Sequence, residues 1–500
     1  MKTANTTESI ILGIDVGTQA LKVLVLTQEL SLLGKAAVAL EIRYPKPGWA
    51  EQDPADWERA LRPAVKTALE QTGTRPRQIV AVGITGQLDG CLAVAADGSP
   101  LTPCAIWIDR RAGIYLSEEM KLLLRRDCGI NPDPSHFAAK ARWLLDHGLS
   151  ASNSVRFHQP VSYLVSRLTA HHLLDHSLAS TTMLYSLKSR GYEPKLLEAF
   201  GLGEEQLPRV ADADSLAGFV SPEGSALSGI PEGVPVAVGT GDDFASPLGG
   251  GISKPGTVAC VIGTAEVVGA LSPDLRIDPE GMVETHPFPG GLYFVENPGW
   301  LAGGAVAWFQ RVFGLEDVEL LNRLAAEVPP GSLDLQFLPA LNGAMSPEWI
   351  PEARGCFYGI TPAHTTGCFA RALLEGCAYG MIDVTDRLME LGVAVEEILL
   401  MGGGSASQLW SRIRASVSNR PVYRVRMVDT APLGAAMLAA VAAGIQPDLD
   451  RCTGLIRDWL GPIGTEPGES EAYRRGHREY RRLFESLRPM YRRDHEDGRT

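Results

Sequence analysis

The sequence predicts an α/β protein built from two similar halves. Three observations carry that expectation. Short Val- and Ile-rich runs that stop at glycine alternate with longer stretches of helical spacing. A strand, Gly-Thr turn, strand pattern at residues 14–25 returns at residues 260–268. The length of 500 residues is more than three times the ~150 of a usual domain.

The elements follow in order. Residues 10–14 (IILGI) read as a buried strand ending at Asp15 and Gly17. Residues 57–71 place Leu61, Val65 and Leu69 at i, i+4 spacing, which predicts a helix. Strands are expected again at 78–84, 234–238, 258–262 and 397–401, and helices at 369–391 and 408–417. A second echo pairs Gly239-Thr240-Gly241-Asp242 with Gly402-Gly403-Gly404-Ser405, each after a strand and before a helix. Glycines 249–251 and the Lys254-Pro255-Gly256 run punctuate the chain between the halves. The expected domains are 1–249, 250–445 and a helical extension, 446–500, with a cleft between the two halves.

Composition excludes several classes. Hydrophobic residues are 45% and charged residues 21%, so wholesale disorder is out. No apolar run reaches the ~18 residues that span a bilayer. Residues 1–9 are polar, so no secretory leader is expected, and the Asn5-Thr6-Thr7 sequon reads as chance. The net charge of −13 argues against nucleic acid and anionic membranes as partners. The basic stretch at 474–493 is interleaved with acids and reads as a solvated helix face. The 8 cysteines form no C-x-x-C pair, which points to reduced thiols, a cytoplasmic protein and no structural zinc.

Several segments could carry chemistry. A Gly-Thr tip offers backbone N–H groups and a hydroxyl to a phosphate, or is an ordinary hairpin turn. Gly17-Thr18 and Gly263-Thr264 form two such tips, one per half, able to grip a polyphosphate. Asp15 stands two residues before the first tip, where Val261 stands before the second. A carboxylate at a buried strand end needs a partner, and Mg²⁺ held through water would suit it. No Walker A sequence is present, which excludes a P-loop. Asp242 opens a helix and reads either as an N-cap or as a general base for a sugar hydroxyl. Asp243 beside it would orient the acceptor or cap the helix. Gly403 and Gly404, and likewise Gly304, admit a nucleotide against the backbone or make tight strand–helix turns. Gln87, Leu88, Asp89 and Asp109 follow apolar stretches and suit a polyhydroxylated ligand. Turn chemistry and a surface ion pair are the plainer readings of these.

Taken together and in order, the segments resemble the FGGY family of carbohydrate kinases. The resemblance runs through IDVGTQALKVLV, GWAEQDPADW, GITGQLDG, AIWIDRRA, GTGDDFASPLGGGISKPGTVACVIGTAEVV, MGGGSASQLWSRIRASVSNRPV and APLGAAMLAAVAAG, from about residue 10 to 445. It implies two ribonuclease-H-like (actin-like ATPase) domains with ATP and sugar meeting in the cleft. By resemblance Asp242 is the catalytic base, and Asp15, Gly17 and Thr18 lie on the phosphate and Mg²⁺ side. Gly263 and Thr264 form the second phosphate loop, Gly403, Gly404 and Gln408 border adenosine, and Gly304 lies near the phosphates. Among the family's branches the likeness is to xylulokinases, which implies D-xylulose as acceptor. One departure weighs on that. Asp89 stands where bacterial xylulokinases often carry histidine, and polyol kinases related to erythritol kinase have an acidic residue in this loop. Another pentulose or a polyol is therefore the alternative acceptor. A non-catalytic ATP or sugar sensor on the same fold is the rival reading. A nicotinamide-dependent dehydrogenase is disfavoured, because no G-x-G-x-x-G follows the strands. A homodimer is compatible with the family likeness.

Overall fold

The computed structural model describes residues 9–113, 116–149, 155–466 and 468–496. The Asn5 sequon and nearly all of the polar start lie outside them. The chain divides into two compact units. Unit 1 takes Met1–Ser253, His286–Tyr293 and Asp429–Arg457, and unit 2 takes Lys254–Thr285, Phe294–Val428 and Asp458–Thr500.

The sheet of unit 1 contains β1 (Ile10–Val16), β2 (Ala20–Thr27), β3 (Leu32–Ala39), β4 (Ile79–Gly86), β5 (Leu216–Phe219), β6 (Pro235–Ala237) and the short β7 (Thr240–Gly241). Its order is β5-β6-β4-β1-β2-β3, with β7 also pairing β4. β1, β2 and β3 form an antiparallel meander, whereas β4 runs parallel to β1 and β6 parallel to β4. All seven residues of β1 are buried. That is why the segment reads as a continuous apolar run, as central strands covered on both faces do.

The second sheet, most of it in unit 2, contains β8 (Gly256–Ile262), β9 (Ala265–Ser272), β10 (Glu284–Phe288), β11 (Leu292–Leu301), β12 (Val395–Met401), β13 (Val422–Val425) and β14 (Trp459–Leu460). Its order is β10-β11-β9-β8-β12-β13-β14. β8 and β9 form an antiparallel hairpin, and β12 and β13 run parallel on the other side of β8. The plan matches unit 1, with β8, β9, β12 and β13 in the places of β1, β2, β4 and β6. Both sheets thus have the expected ribonuclease-H-like layout. The first sequence echo is a true equivalence, since both Gly-Thr tips close the leading hairpin. The second is not. β6 occupies the place of β13, so the turn to Asp242 sits one strand further out than the glycine turn after β12.

The helix Thr430–Ala442 packs in unit 1, although its sequence position suggested the second half. The reason is close packing. A Cβ at Gly13 would lie 1.8 Å from the Pro432 carbonyl oxygen, and one at Gly83 would lie 1.8 Å from that of Ala435. Glycines on β1 and β4 therefore let this small-residue helix lie directly on the strands. Gln446 Nε2 donates to the Gln28 carbonyl at 2.8 Å and carries the following segment with it. The rest of the expected extension belongs to unit 2. β14 adds to β13, and the helix Glu469–Glu496 buries Tyr473, Tyr480 and Phe484. Its inner face is polar as well as apolar, with Tyr473 accepting from the buried Arg371 and His477 paired with Asp383.

Candidate active site

In unit 1 the strand register brings three residues into one row. Asp15 on β1 pairs across to Thr85 on β4, and Thr85 pairs across to Thr240 on β7. Two residues after Thr240, Asp242 begins the helix Asp242–Gly249. The cap position belongs to Gly241, so Asp242 is the first helical residue. A carboxylate there is favoured by the helix N-terminus. Thr240 Oγ1 donates to Asp175 Oδ2 at 2.8 Å, and Asp175 also accepts from the backbone of Ser177 and Leu178. This buried carboxylate holds the approach to Asp242 in place.

The row concentrates negative charge in a poorly solvated place. Burial first, then Asp242, pushes the Asp15 carboxyl up to about 7, against the opposing effect of Lys22. Burial pushes Asp242 up to about 6, while hydrogen bonds from its own and the Asp243 backbone, and Lys22, act against it. Asp243 is driven well above the usual carboxylate range by burial, then by Asp242 and Asp89. Lys22 stands directly opposite Asp15 on β2 and also pairs with Asp429 at 3.4 Å.

A relay of amides ties the acceptor-side loop to the first tip. Gln87 Nε2 donates to Gln52 Oε1 at 2.6 Å, and Gln52 Nε2 donates to the Thr18 carbonyl at 2.6 Å. Trp107 Nε1 donates to Thr18 Oγ1 at 3.0 Å. Gln87 thereby uses its donor and leaves Oε1 without a partner. Asp15 Oδ1, Thr85 Oγ1 and Asp89 Oδ1 are likewise buried with no hydrogen-bond partner. A native fold leaves few such atoms, and four around one strand end mark a place where a ligand completes the bonding. Leu88 lies against Gly241, where a Cβ would meet its Cγ at 2.9 Å.

Asp109 is the correction. Its fully buried carboxylate accepts from the Ala50 backbone at 2.6 Å and from the Arg111 backbone and guanidinium at 2.7–3.0 Å. Arg111 in turn pairs with Glu51 at 2.7 Å and stacks on Trp49. The carboxylate's acceptor sites are committed to holding this loop, so it has none to offer a ligand. Gln52, His136, Lys140 and Asp175 were not singled out in the sequence. They lie 34–65 residues from their partners, and no local pattern marks them.

In unit 2 three glycine-bearing segments meet at the ends of β8 and β12. Gly303 N donates to the Gly263 carbonyl at 3.1 Å, and Gly304 N to the Thr264 carbonyl at 2.9 Å. The fold demands some of these glycines. Gly402 has φ +75 and sits over β8, and a Cβ at Gly404 would lie 2.3 Å from Ile262 Cγ2. A Cβ at Gly304 would meet Leu301 at 3.0 Å. Two others are free of any such demand. A Cβ at Gly403 would meet nothing within 4 Å, and one at Gly263 only the Ala265 carbonyl at 3.5 Å. Small residues that packing does not require leave room for a ligand against the backbone. Gln408 opens the helix Gln408–Ser418 and, with Ser411, Arg412 and Arg424, lines a cavity of about 550 Å³.

Residues 10–249 match the N-terminal domain of the FGGY family of carbohydrate kinases, and residues 258–443 match its C-terminal domain. The chain belongs to that family. It is similar to the glycerol kinase of Thermococcus onnurineus, 31% identical with 93% of this chain and 96% of the relative covered. It is also similar to the xylulose kinase of Escherichia coli K12, 28% identical with 96% and 99% covered. The solved xylulose kinase of Rhodospirillum rubrum superposes with a TM-score of 0.84 at 27% identity, over 97% of this chain and 100% of that one. The protein is therefore an enzyme, a carbohydrate kinase that phosphorylates a sugar or polyol hydroxyl with ATP. That sets aside the dehydrogenase and sensor readings. The relatives divide between glycerol and xylulose kinases, so the likeness is not confined to the xylulokinase branch.

Kinases of this family use ATP with Mg²⁺. Asp15 fits such a cation, being buried with one oxygen unpartnered. Among the described residues no group of three or more His, Cys, Asp or Glu could hold a metal. The donor set thus suits an ion that keeps most of its water, as Mg²⁺ does. No helix among the described residues is long and apolar enough to cross a membrane.

Asp15→Asn tests the electrostatics. A carboxyl raised from 3.8 to about 7 binds its proton more tightly in the folded state. Its charge therefore costs stability above pH 7, by at most about 4 kcal/mol, and the cost fades as pH falls towards 3.8. The variant is expected to have a higher urea midpoint than the parent at pH 8, with the gap closing by pH 4. A variant less stable at pH 8 would contradict the assignment.

Proposed function

We propose that the chain transfers the γ-phosphoryl group of ATP to a terminal hydroxyl of a small, acyclic, polyhydroxylated acceptor bound by unit 1. The observation that carries this is the Asp15–Thr85–Thr240 row, which delivers Asp242 beside unpartnered buried oxygens. Asp242 accepts the proton of the reacting hydroxyl, and that oxygen attacks the γ-phosphorus in line. The Thr18 and Thr264 ends of the two Gly-Thr tips meet the charge spread over the transferring group, the Gly17 and Gly263 N–H groups being held by the Ala20 and Ala265 carbonyls. Asp15 would hold Mg²⁺ through water, and the cation supplies neutralisation of the phosphate charge when bound. Gly403, Gly404 and Gln408 border the adenosine, and Gly304 lies near the phosphates. Gln87, Leu88, Asp89 and Asp243 hold the acceptor. The proposed division of labour is an acceptor side within residues 1–249 and a nucleotide side within residues 250–445.

D-xylulose, giving D-xylulose 5-phosphate, is the acceptor the family likeness put first, and the named xylulose kinases among the relatives support it. A polyol is the second reading. It is favoured by Asp89, whose carboxylate presents an unpartnered acceptor where an imidazole could also donate.

Two outcomes check the mechanism. Asp242→Asn is expected to fold and bind Mg·ATP while losing roughly 10³-fold or more in kcat. In the parent, kcat/KM should rise with pH through about 6, because the base acts only when ionised. A folded Asp242→Asn with near-parental turnover would remove Asp242 from the role. Gly403→Ala should leave stability within about 0.5 kcal/mol, since the fold leaves that Cβ open space, and raise KM for ATP about fivefold or more. An unchanged KM would take Gly403 out of the nucleotide site.

A further inference from the structure

In unit 2 a fully buried ion pair sits just below the second Gly-Thr tip. Ile262 on β8 pairs with Glu266 on β9, directly beneath Gly263-Thr264. The Glu266 carboxylate meets Arg414, on the helix Gln408–Ser418, in a two-pronged contact. Arg414 Nη1 donates to Glu266 Oε1, and Nη2 donates to Oε2 at 2.7 Å. Neither side chain has any exposure to solvent. Cys260 Sγ donates to the same Oε1 at 3.2 Å, and Arg414 Nη1 lies 3.4 Å from Met381 Sδ. The guanidinium sits 4.7 Å from the Trp410 ring centre, and Trp410 Nε1 donates to the Leu374 carbonyl at 3.0 Å. Arg414 Nε is buried with no partner. Stability does not account for such a pair. Taking both charges out of water is costly, and well-packed apolar residues in their place are often neutral or stabilising. The matching hairpin place in unit 1, opposite Val16, is the buried Leu21, so the layout does not call for charge there. What a bidentate pair supplies, and an apolar contact does not, is a set distance and angle.

We infer that Glu266 and Arg414 are a positioning pair for the nucleotide, holding the second Gly-Thr tip at a fixed separation from Gly403, Gly404 and Gln408, so that one ATP engages both segments at once. The inference rests on the phosphotransfer reading above and deepens it. Each end of the pair leads directly to a segment placed against the nucleotide. Glu266 follows Thr264 by two residues, and its backbone lies against β11, where a Cβ at Gly299 would be 1.6 Å from the Glu266 carbonyl oxygen. β11 runs on to Gly303 and Gly304, whose N–H groups donate to the Gly263 and Thr264 carbonyls. The tip and the 303–304 turn are thus one piece. Arg414 lies six residues after Gln408 in one helix, and Trp410 between them packs against Gly404, where a Cβ would meet it at 3.2 Å. The glycine turn and this helix are the second piece. The ladder between β8 and β12 ends at Val261 and Met401, short of both pieces. Beyond it, the Ile262 side chain rests on Gly404, an apolar and non-directional contact. The Glu266–Arg414 fork is directional and sits beside it. Fixing two binding segments at the right spacing strengthens a ligand that spans both and does little for a ligand that touches one. The pair should therefore act on ATP and not on adenosine alone.

The test titrates the full chain with Mg·ATP by calorimetry and with adenosine by ligand-observed NMR, which reads weak binding. No acceptor is present, so the result does not depend on which acceptor the enzyme uses. The double variant Glu266→Met with Arg414→Met removes both charges and keeps an apolar filling, and its urea midpoint should equal or exceed the parent's. Its affinity for Mg·ATP is expected to fall about tenfold or more, while that for adenosine stays within about twofold. Arg414→Lys keeps the charge, loses the fork and stands in if the double variant does not fold. It should weaken Mg·ATP about threefold or more and leave adenosine unchanged. Parental affinity for Mg·ATP in either folded variant overturns the inference. An equal loss for Mg·ATP and adenosine also overturns it, because the pair would then support only the adenosine segment. A parental chain that does not bind Mg·ATP overturns the nucleotide side of the phosphotransfer reading and this inference with it.

Discussion

Asp15 and Asp242 are crowded together at a buried strand end, and the rest of the site in unit 1 accommodates that crowding. The register of β1, β4 and β7 sets the distance along the row, and the Asp175 cap holds the last strand in place. Lys22, opposite Asp15, is a counter-charge acting on both carboxylates. It is partly shared with Asp429, so it moderates the repulsion without removing it. Two carboxyls raised to about 6 and 7 are poor for stability and, in the function proposed, suited to serve one as a base near neutrality and one as an anchor for a hydrated cation.

In the function proposed, unit 2 meets the nucleotide by the opposite route, through glycine-rich turns. The hairpin β8–β9 repeats the geometry of β1–β2, but Val261 stands where Asp15 does. What remains at that end is a concentration of glycines. Some are there because a neighbour lies against them, the Ile262 backbone at Gly402 and the Ile262 side chain at Gly404. Gly263 and Gly403 have no such neighbour.

Much of this was legible in the sequence, and the exceptions have physical causes. Buried strands such as β1 and β12 announce themselves because both faces must be apolar. The Gly-Thr tips repeat because the hairpins do. The small-residue run at 430–442 also announced burial, but a hydrophobic pattern cannot say which sheet does the burying. The glycines that receive it, Gly13 and Gly83, lie hundreds of residues away. Asp109 looked like an acceptor-site residue because a polar group after an apolar stretch suggests a site. Only its contacts reveal that Arg111 and the Ala50 backbone consume it. Gln52, His136 and Lys140 escaped for the complementary reason, since each acts on a residue far along the chain.

The most direct test of the central claim is phosphorus NMR of the full chain incubated with Mg·ATP and a panel of alditols and ketoses, followed until ATP is consumed. The account predicts one phosphomonoester of the acceptor for each ADP formed. ADP accompanied only by inorganic phosphate, with no acceptor ester at any concentration, would contradict it.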